Sequence, residues 1–166
     1  MRSPKVHRRS FLKGSATATA VAGAATLALP VSGAAAKSSP QKTVVTRPGE
    51  PLTPAALFSP AIKLGNLLFL SGSGAMDPAT HAVVPGPIGN QVKQCLDNLK
   101  TVLEAAGSSI DKVVKCTVFL TDIGDFKALN EAYHAYFSSN PPARTTVAVK
   151  DLPGNSPVEI ECIAYI

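Results

Sequence analysis

Between Pro141 and Ile166 the chain alternates twice, once on each side of Leu152-Pro153-Gly154-Asn155-Ser156-Pro157. β-Branched residues at every second position predict two strands, Ala143 to Lys150 and Val158 to Tyr165, and the Pro/Gly/Asn-rich stretch predicts the turn that joins them. Strand side chains point alternately to opposite faces, so Arg144, Thr146 and Ala148 share one face of the first strand and Thr145, Val147 and Val149 the other. In the second strand Val158, Ile160, Cys162 and Ala164 oppose Glu159, Glu161, Ile163 and Tyr165. One face of the pair is a core face. The other is expected to carry an arginine and two carboxylates, and such a face either meets water or lines a site.

A chain of 166 residues is one domain's worth, long enough to bury a core without staples. Its formal charge of +5 belongs to the N-terminus alone. Residues 1–36 hold Arg2, Lys5, Arg8, Arg9 and Lys13 and no acid, which leaves eleven basic against eleven acidic residues in the remainder. The run His7-Arg8-Arg9-Ser10-Phe11-Leu12-Lys13 resembles a twin-arginine export motif. Gly14 to Leu29 is mildly apolar, and Ala34-Ala35-Ala36 supplies the small residues of a signal-peptidase site. That segment of 16 residues falls short of the roughly 20 that span a bilayer, so no stable membrane anchor is expected. Residues 1–36 therefore read as a twin-arginine signal peptide cleaved near Ala36 or Ala34, 37–42 as a linker, and 43–166 as a single domain, periplasmic or secreted after export.

Thr43 to Thr46 predicts a first strand, and Pro48, Pro51 and Pro54 keep the next piece irregular. Leu57 to Lys63 and Leu67 to Ser71 predict a hairpin turned at Gly65-Asn66. Ser71-Gly72-Ser73-Gly74 ends it; no Lys-Ser/Thr follows, so a phosphate loop is disfavoured, and Gly72 suits a close backbone approach to a small ligand or a tight exit from the sheet. After a proline-rich loop, Val92, Cys95, Leu96, Leu99, Val102 and Leu103 recur at helical steps from an opening at Ile88 to a stop at Gly107. Lys112 to Leu120 predicts a strand that buries Val114, Cys116, Val118 and Leu120. Asp122 caps a second helix whose buried stripe is Phe126, Leu129, Tyr133, Tyr136 and Phe137; His134 lies beside that stripe without a partner. Cys95, Cys116 and Cys162 fall on the apolar sides of their elements and read as buried free thiols, and their spacing gives no metal set. The order β-β-β-α-β-α-β-β makes an α+β domain with a mostly antiparallel or mixed sheet and two helices on one face. Its other face, with Phe119 and Ile163, calls for cover by oligomerisation.

Beyond residue 36 the only arginines are Arg47 and Arg144, and only Arg144 lies in a predicted strand. A guanidinium there needs a partner. Two readings are open: a salt bridge to Glu159 or Glu161 across a neighbouring strand, or a bidentate grip on a substrate carboxylate.

Pro142-Ala143-Arg144, Val147, Lys150, Leu152 and Val158-Glu159-Ile160 resemble the C-terminal signature of the Rid family, the YjgF-type reactive-intermediate deaminases. Leu64-Gly65-Asn66 with Ser71-Gly72, Asp97-Asn98-Leu99 to Glu104-Ala105-Ala106-Gly107, and Val114 to Leu120 resemble the same family in the same order, so the likeness runs from about Thr43 to Ile166. The resemblance implies a chorismate-mutase-like fold, a homotrimer with ligand sites in the clefts between subunits, and hydrolysis of enamine/imine intermediates to 2-keto acids and ammonia. The activity would be of the 2-iminobutanoate/2-iminopropanoate deaminase type, with no metal or organic cofactor. Arg144 then falls on the carboxylate-binding arginine, Glu159 on the glutamate that positions and helps deprotonate water, and Gly72, Phe58 and Thr146 on substrate-binding positions. Glu161 is read as structural. The chain departs from the pattern at Phe58, often tyrosine in the family, at Thr146, often cysteine, and at Thr145, usually a smaller residue; rate and preferred substrate are what these changes touch. Other classes are a non-catalytic extracytoplasmic binder of small carboxylates or imino compounds, RNA cleavage and chorismate mutase. No nucleic-acid partner is expected of a neutral chain without a basic stripe, and a dianion such as chorismate calls for more cations.

Overall fold

The computed structural model describes residues 39–166, so the signal segment read at 1–36 lies outside the described residues. Six strands, β1 (Lys42–Val45), β2 (Ala61–Leu64), β3 (Leu67–Gly74), β4 (Val113–Leu120), β5 (Ala143–Ala148) and β6 (Val158–Tyr165), and two helices, α1 (Ile88–Ala105) and α2 (Phe126–His134), follow in the predicted order. They form one sheet, β1-β2-β3-β6-β4-β5. Every pairing is antiparallel except β4 with β5, which is parallel and joined through α2.

Both helices lie on one face. The apolar stripe of α1, Val92 to Leu103, is buried against β3 and β6, and α2 packs on α1 through Leu129 and Tyr133. From the sheet, Leu68, Val118, Leu120, Val158 and Ile160 meet them without exposure. Each such side chain contributes about 1.5–3 kcal/mol relative to leaving it in water. The end of α1 is set by Gly107, whose φ of 79° lets the Ser108 amide turn back to the Leu103 carbonyl at 2.9 Å. Gly65, with φ 61°, turns the β2–β3 hairpin. Cys95, Cys116 and Cys162 are free and buried, as their patterning predicts.

Several expectations are corrected. The hairpin's first strand begins at Ala61, because Leu57 and Phe58 bulge out at 97% and 68% exposure ahead of Pro60. Its second strand does not end at Ser71 but runs on to Gly74, past a register shift between Leu70 and Ser73. A second register shift, between Val113 and Lys115, turns Val114 outward at 45% exposure and puts Val113 in the core in its place. Asp122 caps a short 3-10 turn, Ile123–Asp125, by accepting from the Gly124 amide, and α2 continues from that turn. Of α2's expected stripe, Phe126 is 41% exposed, and Tyr136 is half-buried with its hydroxyl on the Asp97 carboxylate. Finally, β5 stops at Ala148 and does not pair with β6: β4 lies between them.

Candidate active site

The intervening strand decides which side chains share a face. Arg144 pairs with Cys116, and Cys116 with Cys162, so all three side chains lie in one row under the helices. Glu159 pairs with Phe119, and Phe119 with Val147, on the opposite, open face. The expectation that Arg144 shares a face with Glu159 and Glu161 is therefore wrong, and so is the salt-bridge reading. The parity along each strand is as predicted; the relation between the strands is not, because they are not neighbours.

On the helix face the half-buried Arg144 guanidinium is held by α2. Its Nη2 donates to Asn130 Oδ1 at 2.5 Å, and its Cζ lies 4.6 Å from the centre of the Tyr133 ring and 5.6 Å from that of Phe126. Phe126, Asn130 and Tyr133 stand at i, i+4 and i+7, one stripe of the helix, which is why one turn-by-turn face of α2 cradles one arginine. The sequence reading assigned two of these to the core and overlooked Asn130; its signal was the helical spacing, read for packing alone. Thr146, two positions along β5 on the same face, has a buried hydroxyl without a partner. The Tyr133 hydroxyl is buried against the Cys116 thiol, and burial first and then that thiol push its ionisation well above the phenol range. A cavity of ≈ 290 Å³ opens beside Arg144, walled by Tyr133, Phe137 and Pro142.

On the open face Glu159 is half-buried, and burial first, then the charge of Glu161, raises its carboxyl above the usual range. Its carboxylate occupies the space a Cβ on Gly72 would fill, so only glycine at that position lets the two meet. Gly72 also lines a cavity of ≈ 230 Å³ with Phe58, Arg47 and Asn98. Asn98 holds this wall by donating to the Gly74 and Met76 carbonyls at 3.3 and 2.9 Å. Ser71 Oγ bonds the Ser59 carbonyl at 2.8 Å and so ties the segment carrying Phe58 to β3. Five predicted residues thus fall into two groups: Glu159, Gly72 and Phe58 around one wall, Arg144 and Thr146 around another.

Residues 49–166 match the family described as Endoribonuclease L-PSP. Among curated relatives, the 2-iminobutanoate/2-iminopropanoate deaminase of Dermatophagoides farinae is 39% identical over 125 residues, covering 75% of this chain and 97% of its own. The rat protein of the same name is 44% identical over 113 residues, covering 67% and 82%. The crystal structure of the YjgF gene product from E. coli superposes with a TM-score of 0.67 at 35% identity, covering 74% of this chain and 98% of that one. Sheet order, helix placement and these likenesses agree on the chorismate-mutase-like α+β fold. By sequence and by fold, the chain belongs to the Rid family of YjgF-type proteins.

Proposed function

We propose that this chain hydrolyses 2-imino acids, the tautomers of reactive enamines, to 2-keto acids and ammonia, the chemistry named for its mite and rat relatives. The observation that carries this reading is the Arg144 guanidinium, oriented by Asn130 and Tyr133 and offering its remaining donors to the cavity beside it. A planar fork held in one orientation fits a carboxylate bidentately. With the substrate so held, water adds at C2 and the C=N electron pair moves to nitrogen, which takes a proton. The resulting carbinolamine then collapses: the C–N bond breaks, ammonia leaves with its electron pair, and the hydroxyl proton passes to it. Glu159 takes the proton from water and returns it to the leaving nitrogen, and a carboxyl raised by burial is closer in basicity to that task at neutral pH.

Arg144 and Glu159 serve one substrate only if the open face of one copy meets the β5–α2 edge of another. The open face supports such contact: Leu64, Leu67, Phe69, Val147 and Tyr165 are all roughly 40% exposed there. We take the assembly to be the homotrimer, acting outside the cytoplasm after twin-arginine export. The test is ammonia release from 2-iminobutanoate and 2-iminopropanoate generated in situ by an amino acid oxidase, with wild type, Arg144→Ala and Glu159→Ala. Acceleration by wild type alone is the expected result. Retention of ligand without ammonia release by any form would leave the non-catalytic carboxylate binder in its place.

A further inference from the structure

His134 has no role in the reaction just described, yet it lines the cavity that Arg144 also lines. It closes α2 four residues after Asn130, so the two are neighbours on the helix surface, with Cβ atoms about 5–6 Å apart. Asn130 is the side chain that fixes Arg144. His134 also lines the same ≈ 290 Å³ cavity as Arg144, together with Pro141 and Pro142, and it is exposed rather than locked in the core. From these three placements we infer that His134 is a second, pH-dependent cation of the carboxylate site: as imidazolium it shares the substrate carboxylate with Arg144, and as neutral imidazole it leaves Arg144 to hold it alone. The inference rests on the reading of Arg144 as the carboxylate-binding group.

Imidazole is the side chain whose charge ordinarily changes between pH 5 and 8. Arg144, from β5, keeps its charge throughout, and the Tyr133 phenol is pushed up by burial. The segment 138–142, Ser-Ser-Asn-Pro-Pro, has no ionisable group. On α2 itself Glu131 lies one turn back, and on α1 Lys93 and Asp97 are engaged with each other and with Tyr136. Glu159 of the same copy is across the sheet, and in the assembly proposed above the Glu159 of a second copy faces this cavity, so the comparison with His134→Gln is what separates the two groups. A bound carboxylate favours the imidazolium, so binding draws a proton from solvent when it takes place near or above the imidazole's own titration.

The experiment is isothermal titration of the full protein with 2-oxobutanoate, the product-class keto acid, from pH 5.5 to 8.0, for wild type, His134→Gln, His134→Lys and Arg144→Ala. Wild type is expected to weaken by about 2- to 5-fold across the range, the size of one partly exposed ion pair. His134→Gln should bind at every pH as weakly as wild type does at pH 8, and His134→Lys should hold the tight value throughout. In buffers of differing ionisation enthalpy, wild type near pH 7 should show proton uptake that His134→Gln lacks. Identical pH dependence in wild type and His134→Gln overturns the role of His134 while leaving Arg144 in place. Unchanged binding in Arg144→Ala overturns the carboxylate reading itself, and the proposal with it.

Discussion

Arg144 and Glu159 point to opposite faces of one sheet, from strands separated by β4. No rotamer brings a guanidinium through a sheet, so a reaction that needs both takes one from each of two copies. Mixing tests this directly. Arg144→Ala and Glu159→Ala are each expected to be inactive alone. After dissociation and reassembly at equal amounts, about a quarter of the sites in the proposed cyclic trimer would pair an intact Arg144 with an intact Glu159, and activity should return to about that fraction of wild type. No recovery, with mixed trimers demonstrated by mass, would show that each site draws both residues from one chain.

Replacing Arg144 by lysine keeps a charge and removes the plane. An ammonium can still donate to Asn130 and lie over Tyr133, but it cannot present two parallel N–H donors to a carboxylate. KM for a 2-imino acid should rise at least about tenfold in Arg144→Lys, with the melting temperature within a few degrees of wild type. Steady-state kinetics beside a thermal scan separate the two. An unchanged KM would mean that charge alone, and not the fork, holds the substrate.

The faces of each strand were legible from alternation, and the helices from their three- and four-residue steps, because burial imposes both periods directly. Pairing was not legible. β5 and β6 follow each other in sequence across a turn-rich stretch, which reads as a hairpin; the sheet instead inserts β4 between them, a non-local choice that no feature of residues 149–157 announces. The same blindness hid the shift at Val114, since a single extra residue in a strand leaves its composition unchanged. Phe126 and Tyr133 were visible in one helix stripe, but only the spatial return of β5 beside α2 turns them, together with the overlooked Asn130, into the seat of Arg144.

Glu159 predicts the pH response of the rate. Its carboxyl is raised by burial and by the neighbouring Glu161 charge, and it acts as a base only when ionised. Activity is therefore present above its raised pKa and lost as pH falls through it, at a higher pH than an ordinary glutamate would give. Glu161→Gln removes the second cause, so the acid limb of the kcat/KM profile should move to lower pH while its plateau is retained. The same sign governs stability: protonation is favoured more in the folded than in the unfolded chain, so the ionised group weakens the fold above that pKa. Glu159→Gln should accordingly melt higher than wild type at pH 7 and equal it near pH 4. A limb that Glu161→Gln leaves in place would assign the titration to another group.

Asn98 carries the wall behind Gly72. It is 9% exposed and donates to two backbone carbonyls, those of Gly74 and Met76. In Asn98→Ala both acceptors lose their partner, at a cost of about 1–3 kcal/mol. A melting temperature lower by several degrees is expected, together with a fall in kcat, because β3 at Gly72 is no longer held. Full activity in a destabilised variant would place Asn98 in the fold alone.

Gly72 offers the sharpest separation of site from fold. Its backbone φ is not in the left-handed region, so alanine is conformationally acceptable there; the obstacle is the Glu159 carboxylate, which stands where the new methyl group would go. One of the two must move, and Glu159 is the side chain, half-buried and free to swing outward, whereas Gly72 is strand backbone in the sheet. Gly72→Ala should fold with a stability within about 1 kcal/mol of wild type, yet lose on the order of a hundredfold in kcat/KM, the cost of misplacing a proton-transfer group by an ångström or so. Gly74→Ala is the control: its Cβ meets Ser156, the buried hydroxyl that joins Ala75 to Val158, so there the loss should appear in melting temperature first. An active Gly72→Ala would show that Glu159 works from a position other than the one it holds over that glycine.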